Sequence, residues 1–492
     1  MAPSDYDYQH TRDHSETSGS NSSLFDLLSN TLILHQTVPY LPISSVLNVA
    51  ATSKSFCELL QKTPGVYRHL DLTRIKSAQF DIDAIDHGGE VWRNVQLDEN
   101  LTEDDFYSGP LRGVLSSLRR RDVLQDVRTL ILDGLSVTSE FCHEILVDPS
   151  LRIRILSLRE TKNLNERKLM QSLRFACRST RPDGMPRLTG LYVFGKRDIA
   201  VGPEQASQAQ NTQTVVPSRG TNISVGWNHK SQQTLKETIG SEGEDWYSRK
   251  GRMISKHIAD GWAETLLDCR ESLNFDAVLC TGPRHQNSPV YGKTPVTPVN
   301  GTGNSPWGMA TFALGGCASC GTAPEGFTAY GISRTEDLPL LSPVPLHASS
   351  IKAATYPSPN RAEGLQAFVP RCLECIRERY CFSCNQWWCE ACYQVPSREE
   401  LAAQHVQIVD QTNGLTDHEM AALEAPKVKP TTPKITRSCW ECEHNCLDCI
   451  AETQKRCQAC GGGYCIIHYE GSTATLCDWC SVRRGRRRRE LH

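Results

Sequence analysis

The stretch RCLECIRERYCFSCNQWWCEACY, residues 371–393, contains three Cys-x-x-Cys pairs. Such a pair supplies two thiolates from one tight turn, and a tetrahedral zinc ion takes four ligands of this kind. Three pairs this close together cannot all share one ion, so the stretch must contribute to at least two sites. The pattern therefore predicts a small fold that is stapled by metal ions.

Cysteine is concentrated in the C-terminal part of the 492-residue chain: seventeen of the 22 cysteines lie between Cys317 and Cys480, and sixteen of these form Cys-x-x-Cys pairs. The N-terminus is polar and lacks an apolar export signal, and no run of 18 apolar residues occurs. We therefore expect an intracellular protein of the cytoplasm or nucleus, without a membrane span, in which thiols stay reduced and bind metal. The expected cofactor is structural zinc, about four ions at four ligands each.

The pairs form two groups along the chain, at residues 317–392 and 439–480, and interleaving within each group suggests which pairs share an ion. In the first group we predict that Cys317/Cys320 join Cys381/Cys384, and that Cys372/Cys375 join Cys389/Cys392. In the second group we predict that Cys446/Cys449 join Cys465/His468, that Cys457/Cys460 join Cys477/Cys480, and that Cys439/Cys442 use His444 or a ligand from elsewhere.

Two features accompany these pairs. Trp387 and Trp388 are expected to pack over the turns, and Gly461 begins a glycine run that lets the preceding pair close. The segment YCFSCNQWWCEACY resembles the core of ZZ- and treble-clef-type fingers, and the segment around Cys465 and His468 resembles the centre of FYVE-like fingers. The resemblance implies small treble-clef or cross-brace modules. Outside the pairs, we assign no metal role to the remaining cysteines, which are Cys57, Cys142, Cys177, Cys269 and Cys280.

The segment LPISSVLNVAATSKSFCELLQKTPGVYRHLDL, residues 41–72, has apolar residues at helical spacing and prolines at its breaks. It resembles the F-box: Leu41-Pro42 match the second Leu-Pro pair, residues 53–56 the Ser-Lys-x-aromatic stretch, and residues 64–70 the end of the motif. Ser29-Asn30 stand where the family has its first Leu-Pro pair. The resemblance implies a three-helix unit over residues 24–72 that binds a Skp-family adaptor. The expected adaptor contacts are Leu32, Leu34, Val38, Leu41, Pro42, Ile43, Val46, Leu47, Phe56, Leu59 and Leu60.

A leucine pattern, with spacing near that of leucine-rich repeats, recurs between the F-box-like segment and the cysteines. Residues 166–176 between two copies have the apolar spacing of an amphipathic helix, with Leu169, Met170 and Leu173 inward. The pattern predicts strands and helices that stack into an irregular α/β solenoid with a concave face for a protein ligand; an ordinary α/β domain is the alternative. The copies are Val127-x-x-Leu130-x-Leu132, Ile153-x-x-Leu156-x-Leu158 and Leu188-x-x-Leu191-x-Val193, with a possible fourth unit at 262–280.

The chain is thus predicted to be multidomain α+β, with a net charge of −3 that excludes a uniformly basic nucleic-acid binder. The predicted segments are a disordered N-terminus at 1–23, the F-box at 24–72, the repeats at 73–280, a linker at 281–310, a first zinc module at 311–395 with a loop at 321–371, a helix and linker at 396–437, a second zinc module at 438–481 and a basic tail at 482–492.

The F-box resemblance implies a non-catalytic substrate receptor of an SCF-type ubiquitin ligase, with a Skp-family adaptor, a cullin complex and a target protein as partners. No catalytic motif accompanies the cysteines, so we predict no catalytic residue. Two alternatives remain. A cysteine group could act as a stand-alone RING-like ligase, although the Cys-x-His of a RING is missing. The protein could also bind nucleic acid or chromatin through the arginine-rich tail.

Overall fold

A computed structural model describes residues 23–79, 103–198, 251–294, 296, 306–356, 367–393, 434–469 and 471–482. The chain divides into two compact units, Met1–Tyr67 and Arg68–His492. The predicted disordered N-terminus, most of the predicted helix and linker at 396–437, and the arginine-rich tail lie outside the described residues. Among the helices that are described, none is both long and apolar enough to cross a membrane.

The described part of the first unit contains four α-helices, one more than the sequence predicts. Side-chain caps explain where three of them begin, because such a cap satisfies amides that have no partner within the helix. Ser23 and Asp26 form a capping box, Asn30 accepts a hydrogen bond from the amide of Leu32, and Ser53 accepts one from Phe56. The helices are α1 (Leu24–Ser29), α2 (Thr31–Thr37), α3 (Ile43–Thr52) and α4 (Lys54–Lys62), with a 3-10 turn at Val38–Tyr40.

The second unit contains a five-stranded parallel sheet in which neighbouring strands follow one another along the chain. One further strand lies between the fourth and the fifth in sequence, but it belongs to another sheet. Leu130 pairs with Leu156, and Leu156 with Leu191, so the predicted leucine patterns stack in one row. The edge strand β1 was not predicted: its Leu70 belongs to the F-box-like segment in sequence, yet pairs with Leu130. The strands are β1 (His69–Asp71), β2 (Thr129–Ile131), β3 (Ile155–Ser157), β4 (Gly190–Tyr192) and β6 (Asn274–Phe275).

A helix lies between each strand of this sheet and the next, as parallel pairing requires. The predicted amphipathic helix is confirmed: it begins at Glu166, and Leu169, Met170 and Leu173 are buried. The segment proposed as a fourth unit, residues 262–280, contains a helix followed by β6. The helices are α5 (Glu103–Arg119), α6 (Ser139–Val147), α7 (Glu166–Cys177) and α8 (Trp262–Cys269).

A buried charge network fixes the carboxyl edge of the parallel sheet. Arg159, which follows β3, pairs with Asp133 at 2.7 Å and with Asp198 at 2.6 Å. Asp276, which follows β6, accepts hydrogen bonds from three consecutive amides at residues 193–195. Burial raises the pKa of Asp133 and Asp276, and the nearby Arg159 opposes that rise. Charges at this edge are therefore matched within the protein.

The rest of the second unit is built from short elements. One antiparallel sheet has the order β5-β7-β9-β8, and two hairpin-like pairs follow it. Strands this short form few hydrogen bonds, so other interactions must hold this region together. The strands are β5 (Gly251–Arg252), β7 (Phe312–Leu314), β8 (Thr328–Ala329), β9 (Ala367–Arg371), β10 (Ile435–Thr436), β11 (Asn445–Cys446), β12 (Gln454–Arg456) and β13 (Gly463–Cys465), and the helices are α9 (Ile351–Thr355), α10 (Leu373–Ile376) and α11 (Leu447–Thr453).

The substitution Leu156→Ala tests the stacking of the leucine row. Leu156 is 1% exposed, so its truncation leaves a cavity and is expected to lower the free energy of unfolding by about 2–5 kcal/mol. Urea unfolding followed by circular dichroism measures the change. Val147→Ala, at a side chain that is 42% exposed, is the control and should cost much less. Equal losses for the two variants would show that the row is not part of the core.

Candidate metal centres

In the described part of the second unit, Cys and His side chains converge in five groups, and within each group the four ligand atoms lie within 4.8 Å of one another. We number them along the chain. Cluster 1 is Cys280, His285, Cys372 and Cys375; cluster 2 is Cys317, Cys320, Cys389 and Cys392; cluster 3 is Cys381, Cys384, Cys446 and Cys449; cluster 4 is Cys439, Cys442, Cys465 and His468; cluster 5 is Cys457, Cys460, Cys477 and Cys480.

The spacing of the sulfur atoms fits tetrahedral zinc. Four ligands at the zinc–sulfur bond length of roughly 2.3 Å lie about 3.8 Å from one another. The distance between sulfurs is 3.8 Å for Cys280–Cys375, 3.9 Å for Cys320–Cys389, 3.8 Å for Cys384–Cys446, 3.6 Å for Cys442–Cys465 and 3.8 Å for Cys460–Cys477. All of these are far longer than a disulfide bond, and every cysteine is free.

The thiols of cluster 1 shift one another's pKa in a way that favours binding of a cation. Burial disfavours the thiolate of Cys280, but hydrogen bonds from Cys372, Cys375 and His285 outweigh it and lower its pKa well below the ordinary value. Contact with Cys280 raises the pKa of Cys372. Contacts with Cys280 and Cys372 together raise the pKa of Cys375. Only part of the cluster can therefore ionise alone. A divalent cation removes this conflict because it stabilises all the thiolates at once.

Clusters 2, 3 and 5 each contain a turn with the same backbone geometry. In cluster 2 the amide of Gly321 donates to the carbonyl of Cys317 at 2.8 Å, and the amide of Cys317 donates to Thr322. In all three turns the residue after the second cysteine has a left-handed backbone conformation. Glycine and asparagine tolerate this conformation best. These residues are Gly321 (φ 71), Asn385 (φ 60) and Gly461 (φ 73).

The other half of each of these clusters has a different local structure. Cys446 is the N-cap of α11, and Cys477 directly precedes the helical residues 478–482. In cluster 2 the amides of Cys392 and Tyr393 both donate to the carbonyl of Cys389, which forms a helical turn. Each cluster thus joins one tight turn to one helix-like segment. Two tight turns never share a cluster among the described residues.

This rule excludes one of the predicted pairings, and the clusters correct a second. The expected partnership of Cys317/Cys320 with Cys381/Cys384 would join two tight turns, and the structure separates them into clusters 2 and 3. The expected partner of Cys465/His468 was Cys446/Cys449, whereas the structure brings Cys439/Cys442 to that pair in cluster 4. Among the described residues, no cluster includes His444. The pairing of Cys457/Cys460 with Cys477/Cys480 is confirmed as cluster 5.

Cluster 1 contains two residues that the sequence analysis missed. Cys280 follows β6 and was assigned no metal role, and His285 belongs to no Cys-x-x-Cys pair. Both are buried, and His285 Nε2 lies 3.1 Å from Cys372 Sγ. A Cβ added at Gly282 would lie 2.5 Å from Cys375 Sγ, so the close approach of this loop requires glycine. The predicted joining of Cys372/Cys375 to Cys389/Cys392 is therefore wrong.

The clusters also connect regions that were predicted to be separate. Cluster 3 takes two ligands from each predicted zinc module. Along the sequence the ligands of each cluster interleave with those of the next, from clusters 1 and 2 to clusters 4 and 5. Because of this interleaving, a segment between two ligands cannot move away without opening the neighbouring cluster as well. The cysteine-rich region is therefore one continuous structure over clusters 1 to 5.

Buried charges and aromatic rings fill the space around clusters 1 and 2. Arg379 pairs with Glu390 at 2.8 Å and donates to the carbonyls of Cys375 and Trp388. Trp387 is 1% exposed and donates through Nε1 to the carbonyl of Gly315, so the predicted packing of this tryptophan is confirmed.

The predicted adaptor-contact residues fall into three groups by exposure. The exposed residues are Leu32, Leu41 and Pro42, and the half-buried residues are Ile43, Leu47, Phe56 and Leu59. The remaining four, Leu34, Val38, Val46 and Leu60, are buried and form the interior of the helical unit.

Four cysteines lie outside the clusters, and all four are on helices. Cys142 is fully buried on α6, and burial raises the pKa of its thiol. Cys177 on α7 and Cys269 on α8 are buried and their thiols interact with each other. Cys57 is half-buried on α4.

Comparisons of the chain with family models, with curated proteins and with solved structures find no match. The described structure is a mixed α/β chain with five Cys/His clusters that are positioned to bind metal ions.

Metal stoichiometry tests the five clusters. We expect five zinc ions per chain by native mass spectrometry, one more than the four expected from the sequence. The double variant Cys280→Ser, His285→Ala removes two ligands of cluster 1 and should retain four ions. The matched variant Cys57→Ser, His257→Ala removes the same residue types outside the clusters and should retain five. Four ions in all three proteins would exclude cluster 1 as a metal site.

Proposed function

We propose that the protein is a substrate receptor of an SCF-type cullin–RING ubiquitin ligase. In this proposal the helical unit of residues 24–67 binds a Skp-family adaptor, and the second unit binds the target protein. The single observation that carries the proposal is a set of exposed apolar side chains on the small helical unit. These are Leu24, Leu27, Leu32, Ile33, Tyr40 and Leu41.

Exposed apolar residues at this density indicate an interaction surface. Isolated apolar side chains on a protein surface are normal, but several large ones on a small helical unit are typical of a partner-binding region. Leu32 is 75% exposed on α2, and Leu41 is 40% exposed directly before α3. Leu41-Pro42 also match the F-box pattern in sequence, so the exposed residues and the resemblance point to the same region.

The second unit supports a binding role without catalysis. We propose that its parallel strands and intervening helices are an irregular leucine-rich-repeat-like solenoid, because the leucine rows continue across β1, β2, β3 and β4. Each metal cluster offers four ligands, so zinc would be closed to substrate and structural. The contribution to ubiquitin transfer would then be proximity, because the receptor holds the target near the transfer machinery.

Capture of a Skp-family adaptor tests this proposal. The variant Leu32→Asp, Leu41→Asp places two charges on the exposed apolar surface and should reduce adaptor capture to background, because a buried unpaired charge is costly. These positions are preferable to Val46, which is 3% exposed and would perturb the interior of the unit. Immobilised adaptor and purified full chain, quantified by immunoblot, provide the measurement.

The control is Ile332→Asp, at an apolar side chain that is 86% exposed in the second unit. It introduces the same charge on another exposed surface and should leave capture unchanged. Failure of the unmodified chain to bind any Skp-family adaptor, or equal binding by the Leu32→Asp, Leu41→Asp variant, would refute the proposed function.

A further inference from the structure

A cavity of about 870 Å³ opens at the amino edge of the parallel sheet, opposite the buried charge network. We call it the amino-edge groove. Its lining is dominated by five arginines, which are Arg128, Arg152, Arg154, Arg181 and Arg187.

The strand register places arginines in a row beside this groove. Arg68, Arg128 and Arg154 directly precede β1, β2 and β3, and the residues that follow them are paired with one another. The row continues at Thr189, which precedes β4 and whose amide donates to the carbonyl of Arg154. Neighbouring strands lie about 4.8 Å apart, so consecutive arginine stems are held at that spacing.

The positive charge of the groove is not neutralised within the described part of the chain. None of its five arginines forms an ion pair with a described residue, and only Asp183 and Glu271 contribute carboxylates to the lining. The pKa of Arg128 is lowered by burial and then by the charges of Arg152 and Arg154. The charge of Asp126 offsets only part of this decrease. The guanidinium groups therefore repel one another, and an anion would relieve that repulsion.

Backbone contacts hold several of these side chains in place. Arg128 donates to the carbonyl of Arg152 at 3.3 Å, and Arg181 donates to that of Cys177 at 3.1 Å. A guanidinium group has five N–H donors, so each retains donors for a ligand. Donors that are already oriented bind an anion at a smaller entropic cost.

We propose that the amino-edge groove binds a phosphorylated segment of a peptide chain. A phosphoryl group carries nearly two negative charges and three acceptor oxygens, which several guanidinium groups can share through charge-assisted hydrogen bonds. The identity of that peptide as a ubiquitination target rests on the proposed function, whereas its binding to the groove does not.

The lining favours a phosphopeptide over a nucleic acid. Among the described residues, no aromatic side chain lines the groove, so these residues offer bases no surface on which to stack. Asp183 and Glu271 would repel a continuous phosphate backbone, whereas a single phosphoryl group needs to contact only the arginines. The same carboxylates could also accept hydrogen bonds from peptide amides.

Fluorescence anisotropy with the zinc-loaded full chain tests the proposal. The probe is a labelled degenerate peptide pool with one central phosphoserine or phosphothreonine, compared with the same pool without phosphate at physiological ionic strength. We expect the phosphorylated pool to bind about tenfold or more tightly, since hydrogen bonds to charged groups contribute about 1.5–3 kcal/mol. Arg128→Gln with Arg154→Gln should reduce its affinity to that of the unphosphorylated pool.

The matched control is Arg121→Gln with Arg167→Gln, which removes the same charge from exposed arginines outside the groove lining and should leave binding intact. Equal binding of the two pools, or equal affinity of the two double variants, would overturn the proposal. So would binding of inorganic phosphate as tight as that of the phosphopeptide pool, or binding of a single-stranded oligonucleotide when the pool does not bind.

Adaptor capture by the groove variant separates this inference from the proposed function. The Arg128→Gln, Arg154→Gln protein should bind a Skp-family adaptor as the unmodified chain does. If the unmodified chain binds the phosphorylated pool but no adaptor, phosphopeptide binding by the groove is supported and the ligase proposal is refuted.

Discussion

Mutual repulsion of crowded thiolates is the constraint on which the cysteine-rich region depends. Each of the five clusters brings four ligand atoms within 4.8 Å, and the surrounding strands are only two to five residues long. Without a cation, neighbouring thiolates raise one another's pKa, as at Cys372 and Cys375, and part of each cluster must stay protonated. With a cation the same crowding becomes stabilising, and the interleaved ligands link the clusters to one another from cluster 1 to cluster 5.

The parallel sheet is joined to this region through cluster 1. Cys280 lies five residues after the end of β6, so the last strand of the sheet leads directly into the metal ligands. The two edges of the sheet differ in charge. At the carboxyl edge Arg159 pairs with the buried Asp133 and with Asp198, whereas at the amino edge Arg128 and Arg154 lack such partners among the described residues. At one edge of the sheet the charges are thus neutralised by residues of the chain itself, and at the other edge the positive charge of the arginines can bind a ligand.

Local patterns in the sequence were predictive, and long-range partnerships were not. The spacing of Leu130, Leu156 and Leu191 revealed three strands because alternation within a strand is a local property. The Cys-x-x-Cys pairs revealed the ligand turns for the same reason. Three of the four predicted pairings failed because the ligands that meet are distant in the sequence, as Cys280 and Cys372 are at 92 residues apart. A local signal was nevertheless present: Gly321, Asn385 and Gly461 mark tight turns, which should not have been paired with one another.

X-ray absorption at the zinc edge of the full chain tests the central claim most directly. The clusters provide eighteen sulfur and two nitrogen ligands for five ions, which is 3.6 sulfurs and 0.4 nitrogens per ion. The account predicts that average coordination, with zinc–sulfur distances of about 2.3 Å and no open position. Coordination dominated by oxygen or nitrogen, or a sulfur edge showing disulfides in the freshly purified protein, would contradict it.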